Sequence, residues 1–182
     1  LLCRQMLVLH TCDSLLDEGP CTAVVTRCRS RFTLPPARYE AYVQDSRWSN
    51  ENQGVWMPAL TGTMRFGCLQ GRTTEGNTPY LCLRETGGGP AVAFHVVPVG
   101  NWTIAVRVRP YGRRMPWVVV EAGLSDEDLF LRCAPGMRIE LPEILVQDVP
   151  GGDPRRAAPA LHQYVNSRAP TAPRKAAPVV YN

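Results

Sequence analysis

The feature that most constrains this chain is its punctuation: seventeen prolines and fifteen glycines are spread over nearly all of its 182 residues. A break every few residues leaves no room for long helices and favours short strands joined by turns. Between the breaks, apolar and polar side chains alternate. Tyr39, Ala41 and Val43 oppose Glu40, Tyr42 and Gln44, and Ile104, Val106 and Val108 oppose Arg107 and Arg109. From Val24 to Phe32 the even-numbered positions face one way, and Arg27, Arg29 and Arg31 the other. Successive side chains of a strand point to opposite faces, so these runs predict half-buried strands whose arginines lie in solvent.

Spacing and turn signals extend the pattern. Strands are expected near 1–9 (an edge), 22–32, 37–44, 62–70, 79–84, 91–98, 102–109, 116–122, 128–133 and 137–147. Turns are expected at Thr86-Gly87-Gly88-Gly89-Pro90, Pro110-Tyr111-Gly112 and Ala134-Pro135-Gly136. Asp126-Glu127-Asp128 reads as a solvated turn rather than a pair for acid–base work, because adjacent carboxylates point in different directions. The series implies an all-β fold, an antiparallel sandwich or barrel, over residues 1–149. After Val149 the composition shifts. Pro150-Gly151-Gly152-Asp153-Pro154 is a linker, and 156–166 can form a short helix with Leu161, Tyr164 and Val165 on one side. Residues 169–178 make a stiff proline-rich connector. The start without Met, and the apolar Val179-Val180-Tyr181-Asn182 at the other end, lead us to expect a piece of a longer protein.

Two stretches stand out chemically. Gly71-Arg72-Thr73-Thr74-Glu75-Gly76-Asn77-Thr78-Pro79-Tyr80 crowds hydrogen-bonding groups onto a loop between two strand-like runs, a suitable place to grip a hydroxyl-rich ligand or simply a polar hairpin end. The polar segment 45–54 holds a single Trp48. An indole left in water wastes its apolar surface, so Trp48 is expected to pack on the sheet or to stack on a partner, packing being the simpler outcome.

Charge and cysteines narrow the function classes. The net charge is +4, carried by nineteen Arg and one Lys, but the arginines are dispersed along strands rather than gathered into a footprint with aromatic platforms. Neither a nucleic-acid partner nor a membrane partner is expected. The seven cysteines contain no Cys-x-x-Cys, and the three histidines are scattered, so no metal and no cofactor is expected. Cys28, Cys68, Cys82 and Cys133 lie among strand residues and read as reduced, buried thiols of a cytoplasmic protein.

Five motifs, in order over roughly 37–182, carry a resemblance to a known family. They are Arg47-Trp48-Ser49-Asn50-Glu51, then Gly71-Arg72-Thr73-Thr74 with Pro79-Tyr80, then the strand Phe94-His95-Val96-Val97-Pro98-Val99-Gly100-Asn101-Trp102. Pro135-Gly136 with Leu141-Pro142-Glu143 follows, and finally Leu161-His162-Gln163-Tyr164 with Pro178-Val179-Val180-Tyr181-Asn182. Together they resemble the N-terminal β-supersandwich (galactose-mutarotase-like) domain of family 36 glycoside hydrolases, the α-galactosidases. Glu75 and Thr78 stand where that family usually has His and Asn. The resemblance implies a sandwich ahead of a (β/α)8 barrel that would begin within 150–182, and retaining hydrolysis of terminal α-galactosides by two Asp on that barrel. It further implies that Trp48, Arg72, Thr73, Thr74 and Asn77 face an α-galactoside oligosaccharide or a neighbouring subunit of a homo-oligomer, while Gly100 and Asn101 are structural. A stand-alone carbohydrate-binding or scaffold sandwich is the alternative.

Overall fold

The computed structural model describes residues 2–3, 6–8, 23–71, 75–97, 100–112, 114–134 and 138–168. The first strands are β1 (Leu2–Cys3), β2 (Met6–Val8), β3 (Ala23–Val25), β4 (Arg29–Leu34) and β5 (Tyr39–Arg47). Next come β6 (Asn50–Pro58), β7 (Gly62–Cys68), β8 (Gly76–Glu85), β9 (Ala91–Val97) and β10 (Trp102–Tyr111). The last are β11 (Arg114–Leu124), β12 (Leu131–Cys133), β13 (Arg138–Glu140) and β14 (Glu143–Val149). Two short 3-10 turns and the helix α1 (Ala158–Arg168) follow.

The strands form a six-stranded large sheet, ordered β1-β14-β9-β8-β5-β6, and a four-stranded small sheet, ordered β4-β11-β10-β7. Every pairing is antiparallel, and two short ribbons, β12-β3 and β13-β2, lie beside them. The core lies between the sheets. Ala41, Val43, Leu81, Leu83 and Phe94 of the large sheet meet Trp102, Ile104, Val106, Val118 and Val120 of the small one, and the Phe32 and Phe94 rings touch across the gap at 5.4 Å. These are the alternating apolar positions of the sequence, because period two sends them all to the inner faces. The all-β sandwich expected from the punctuation is therefore the fold that forms.

Four local expectations change. Residues 22–32 are not one strand: the chain leaves the ladder at 26–28, where Cys28 crosses over Gly123 and its carbonyl accepts from the Leu124 N–H at 3.0 Å. Only glycine allows that crossing, since a Cβ on residue 123 would stand 2.5 Å from the Cys28 carbonyl oxygen. Residues 137–147 divide at Leu141-Pro142, where proline removes a ladder donor. The strand expected at 128–133 starts only at Leu131, because Asp128 takes a left-handed turn conformation (φ 55°). The polar segment 45–54, where no strand is expected, forms the hairpin of β5 and β6. With β6 at the edge of its sheet and Asn50 to Val55 all exposed, only Trp56 and Met57 pack against buried residues, and the first six residues have no apolar face for a pattern to reveal.

The strand arginines also differ from expectation. Arg31 is solvent-facing, but Arg29 is almost wholly buried, its side chain 3% exposed. The reason is Glu121 on β11, which lies opposite Arg31 and is itself buried. Its carboxylate accepts from Arg31 Nη2 at 2.6 Å, Arg27 Nη2 at 3.1 Å and Arg107 Nε at 3.0 Å. Asp126 takes Arg29, and Arg65 at 3.2 Å, so the expected turn is present but one of its acids is engaged by two arginines. Burial pushes the Glu121 carboxyl up, and Arg31, Arg107 and Arg27 more than offset it, leaving the group below its ordinary value. Asp126 is likewise held low: burial raises it, and a hydrogen bond from its own backbone and the charges of Arg29, Arg65 and Arg27 bring it down.

Candidate functional site

The two chemically unusual stretches meet at one end of the large sheet. On β5, Asp45 pairs with Asn77 and Ser46 with Gly76 of β8, while Arg47 pairs with Asn50 of β6. The β5–β6 turn, Trp48 and Ser49, therefore projects just past the point where the 69–75 loop enters β8. That loop is not a hairpin end, because β7 lies in the small sheet and β8 in the large one; it carries the chain from one layer to the other.

Trp48 does not pack. Its side chain is the most exposed large apolar group described, at 94%. The turn that displays it is held by its own polar groups: Ser49 is left-handed (φ 61°), its N–H donates to Glu51 Oε1 at 3.1 Å, and Arg47 pairs with Asp45 at 3.4 Å. Asn77 is fixed from behind, its Oδ1 accepting from the Gly67 N–H of β7 at 3.3 Å, a bond that ties the two sheets together beside the loop. Asn101 does the same from the other side, accepting from Gly71 N–H at 2.9 Å and donating to the Leu69 carbonyl at 3.3 Å. Gly100 turns with φ 90°, as the structural reading of that pair requires; Asn101 acts through its amide rather than through a left-handed backbone. Arg72, Thr73 and Thr74 lie outside the described residues.

A second feature was not anticipated. The outer face of the large sheet, roofed by the 3-10 turns and α1, encloses a groove of about 530 Å³. Its floor carries Tyr42 and Gln44 of β5, Thr78 and Tyr80 of β8, and His95 of β9; α1 supplies Leu161, His162 and Val165. Tyr80 donates to the Pro154 carbonyl at 2.8 Å, Thr78 Oγ1 to Gln44 Oε1 at 3.0 Å, and the Tyr80 and His95 rings lie 4.5 Å apart. Tyr42 and Gln44 are the polar side of an alternation the sequence displayed, but nothing in it said that this side would also be covered. Burial alone lowers the His95 imidazole to about 4, from 6.5. A group whose folded value is depressed contributes stability above its unfolded value and loses it as pH falls through the folded one. Urea titrations should therefore show stability falling between about pH 6.5 and 4, by up to about 3 kcal/mol, and His95→Phe should flatten that slope.

The geometry defines an all-β sandwich with an indole held on a polar rim at one end. No family model and no curated protein matches the sequence. Solved structures do match. The GH36 α-galactosidase AgaA from Geobacillus stearothermophilus is similar at 21% identity and a TM-score of 0.67, over 74% of this chain and 19% of that one. The α-galactosidase from Lactobacillus brevis is similar at 20% identity and 0.67, over 74% and 18%. The galactosidase domain of the α-galactosidase–sucrose kinase AgaSK follows at 17% identity and 0.66, over 74% and 19%. The fold is thus one that solved α-galactosidases contain, as the five motifs led us to expect, and this chain spans about a fifth of their length. Variants of AgaA have been solved with 1-deoxygalactonojirimycin, raffinose and stachyose. Among the described residues of this chain, no helix is long and apolar enough to cross a membrane.

Proposed function

We propose that this chain is the non-catalytic N-terminal part of an α-galactosidase-type retaining glycoside hydrolase acting on terminal α-galactosides. Residues 1–149 are its sandwich, and 150–182 a linker, a short helix and the approach to a catalytic barrel. The observation that carries the reading is the fold likeness to solved α-galactosidases, joined to an indole left almost fully exposed by the described residues. Trp48 and Asn77, with Arg72, Thr73 and Thr74, form a rim against the sugar pocket, in a cytoplasmic homo-oligomer whose contacts include this end. The thiols of Cys28, Cys68, Cys82 and Cys133 are buried, in keeping with that compartment.

Retaining hydrolysis needs two carboxyl groups about 5–5.5 Å apart, one able to hold a proton near neutral pH. Glu121 and Asp126 are instead clamped by arginines and held low, which supports placing the bond-breaking acids outside this domain. The test is Trp48→Ala in the full-length protein. It should lower kcat/KM for raffinose by about 10–100-fold while leaving Tm unchanged, because a fully desolvated aromatic contact is worth roughly 1.4–3 kcal/mol. Unaltered kinetics would remove Trp48 from the pocket. The alternative, a stand-alone carbohydrate-binding sandwich, draws on the aromatic groove, and a full-length protein without α-galactosidase activity would favour it.

A further inference from the structure

The helix α1 has no buried residue, yet it stands over a sheet face. Cavities of about 530 and 220 Å³ flank it, both lined by Leu161 and His95. Leu161 thus props the helix on the sheet while the space beside it stays open. The larger space has the size of a small-molecule site. Its lining is mostly apolar and includes the rings of Tyr42 and Tyr80, while Gln44, Asn52 and Thr78 bring amide and hydroxyl groups to the same wall. Among the described residues that line it there is no carboxylate, and Arg155 is the one Lys or Arg side chain. His95 stays neutral in the floor. An ion carried into this space would meet no opposite charge in the interior, whereas a ring with one apolar face and a hydroxylated edge would meet a partner for each.

We propose that this groove binds an uncharged, hydroxylated ring compound of sugar size, with Tyr42 and Tyr80 against its apolar face and Gln44, Asn52 and Thr78 on its hydroxyls. The assignment is independent of the α-galactosidase reading, since it uses only the sheet's outer face and α1. Sequence adjacency hides the site: its walls come from β5, β6, β8, β9 and α1, more than one hundred positions apart at the extremes (Tyr42 to Val165).

Hydrogen–deuterium exchange on the full-length protein tests it, with methyl α-D-galactopyranoside as the probe. At ten times its Kd the probe should slow exchange about tenfold in peptides covering 78–82 and 158–165, in a saturable way. Ala158→Trp, which fills the groove from the helix side and leaves the sheet intact, should abolish that protection without lowering Tm. Trp48→Ala should leave it unchanged, so loss of turnover in that variant with retained protection separates the rim from the groove. Absent protection, protection that survives Ala158→Trp, or equal protection by glycerol at the same concentration would overturn the proposal.

Discussion

Replacing Glu121 by alanine should lower the unfolding free energy of the sandwich by about 3–5 kcal/mol, measured by urea denaturation. The size follows from what the carboxylate leaves behind. Arg27 and Arg31 are well exposed and would be rehydrated, so their share is small. Arg107 and Arg29 are not exposed in that way. With Glu121 gone, Arg107 loses its 3.0 Å partner, and the buried Arg29 faces only Asp126 while Nε and Nη1 already lack hydrogen-bond partners. An uncompensated buried cation is the costly outcome. Glu121→Gln keeps the shape and loses the charge, which isolates the electrostatic part. Because the folded Glu121 is held below its ordinary value, its contribution is present above about pH 4.3 and is lost as pH falls through the folded value. The wild type and Glu121→Gln should therefore converge in stability as pH falls through the folded value. A neutral effect of Glu121→Ala at pH 7 would mean that the arginines are simply solvated, as their alternation in the sequence implied.

Trp102→Ala should cost about 3–5 kcal/mol by a different route. The indole has no exposed surface and sits where β10 begins, paired with Leu124 on one side and Cys68 on the other. Its removal leaves a cavity between two sheets that cannot close, since both are fixed by their ladders. The midpoint of a urea titration should fall with the slope unchanged, and Trp102→Phe should recover part of the loss. A small effect would show that the two layers can collapse together, which the packing of Phe94 against Phe32 argues against. The same substitution should loosen the Gly71–Asn101 tether, because Asn101 immediately precedes Trp102 in the chain.

The two variants mark what could and could not be read from the residues alone. Trp102 belongs to the apolar set whose period of two places it inside, and β5, β10 and β11 follow from the same rule; β8 and β9, buried on both faces in their middles, follow from apolar runs between turn signals. The rule is local, and it works wherever one face is buried and the other wet. It fails for β6, an edge strand whose first six residues are all exposed, and for Arg29, whose burial depends on a carboxylate more than ninety positions away. Trp48 shows a third kind of limit. A side chain's cost in water is known from its chemistry, but whether its own domain covers it depends on where the hairpin points. The groove below α1 is hidden for a related reason: half-polar strand faces look the same whether water or a helix lies over them. Of the rim, the meeting of Trp48 with the 71–80 stretch emerges from strand register, which no spacing count provides.

The bond between Asn77 and Gly67 has a mechanical consequence. Together with the Asn101 anchor, it fixes the described ends of the crossing, Leu69, Gly71 and Asn77, so the two layers are strutted where the chain passes between them. Cutting the strut with Asn77→Ala would let the gap between the layers breathe at that end, and the angle at which Trp48 is presented would drift with it. Anything docking against the indole would thereby be aimed by the tightness of a joint some residues behind it.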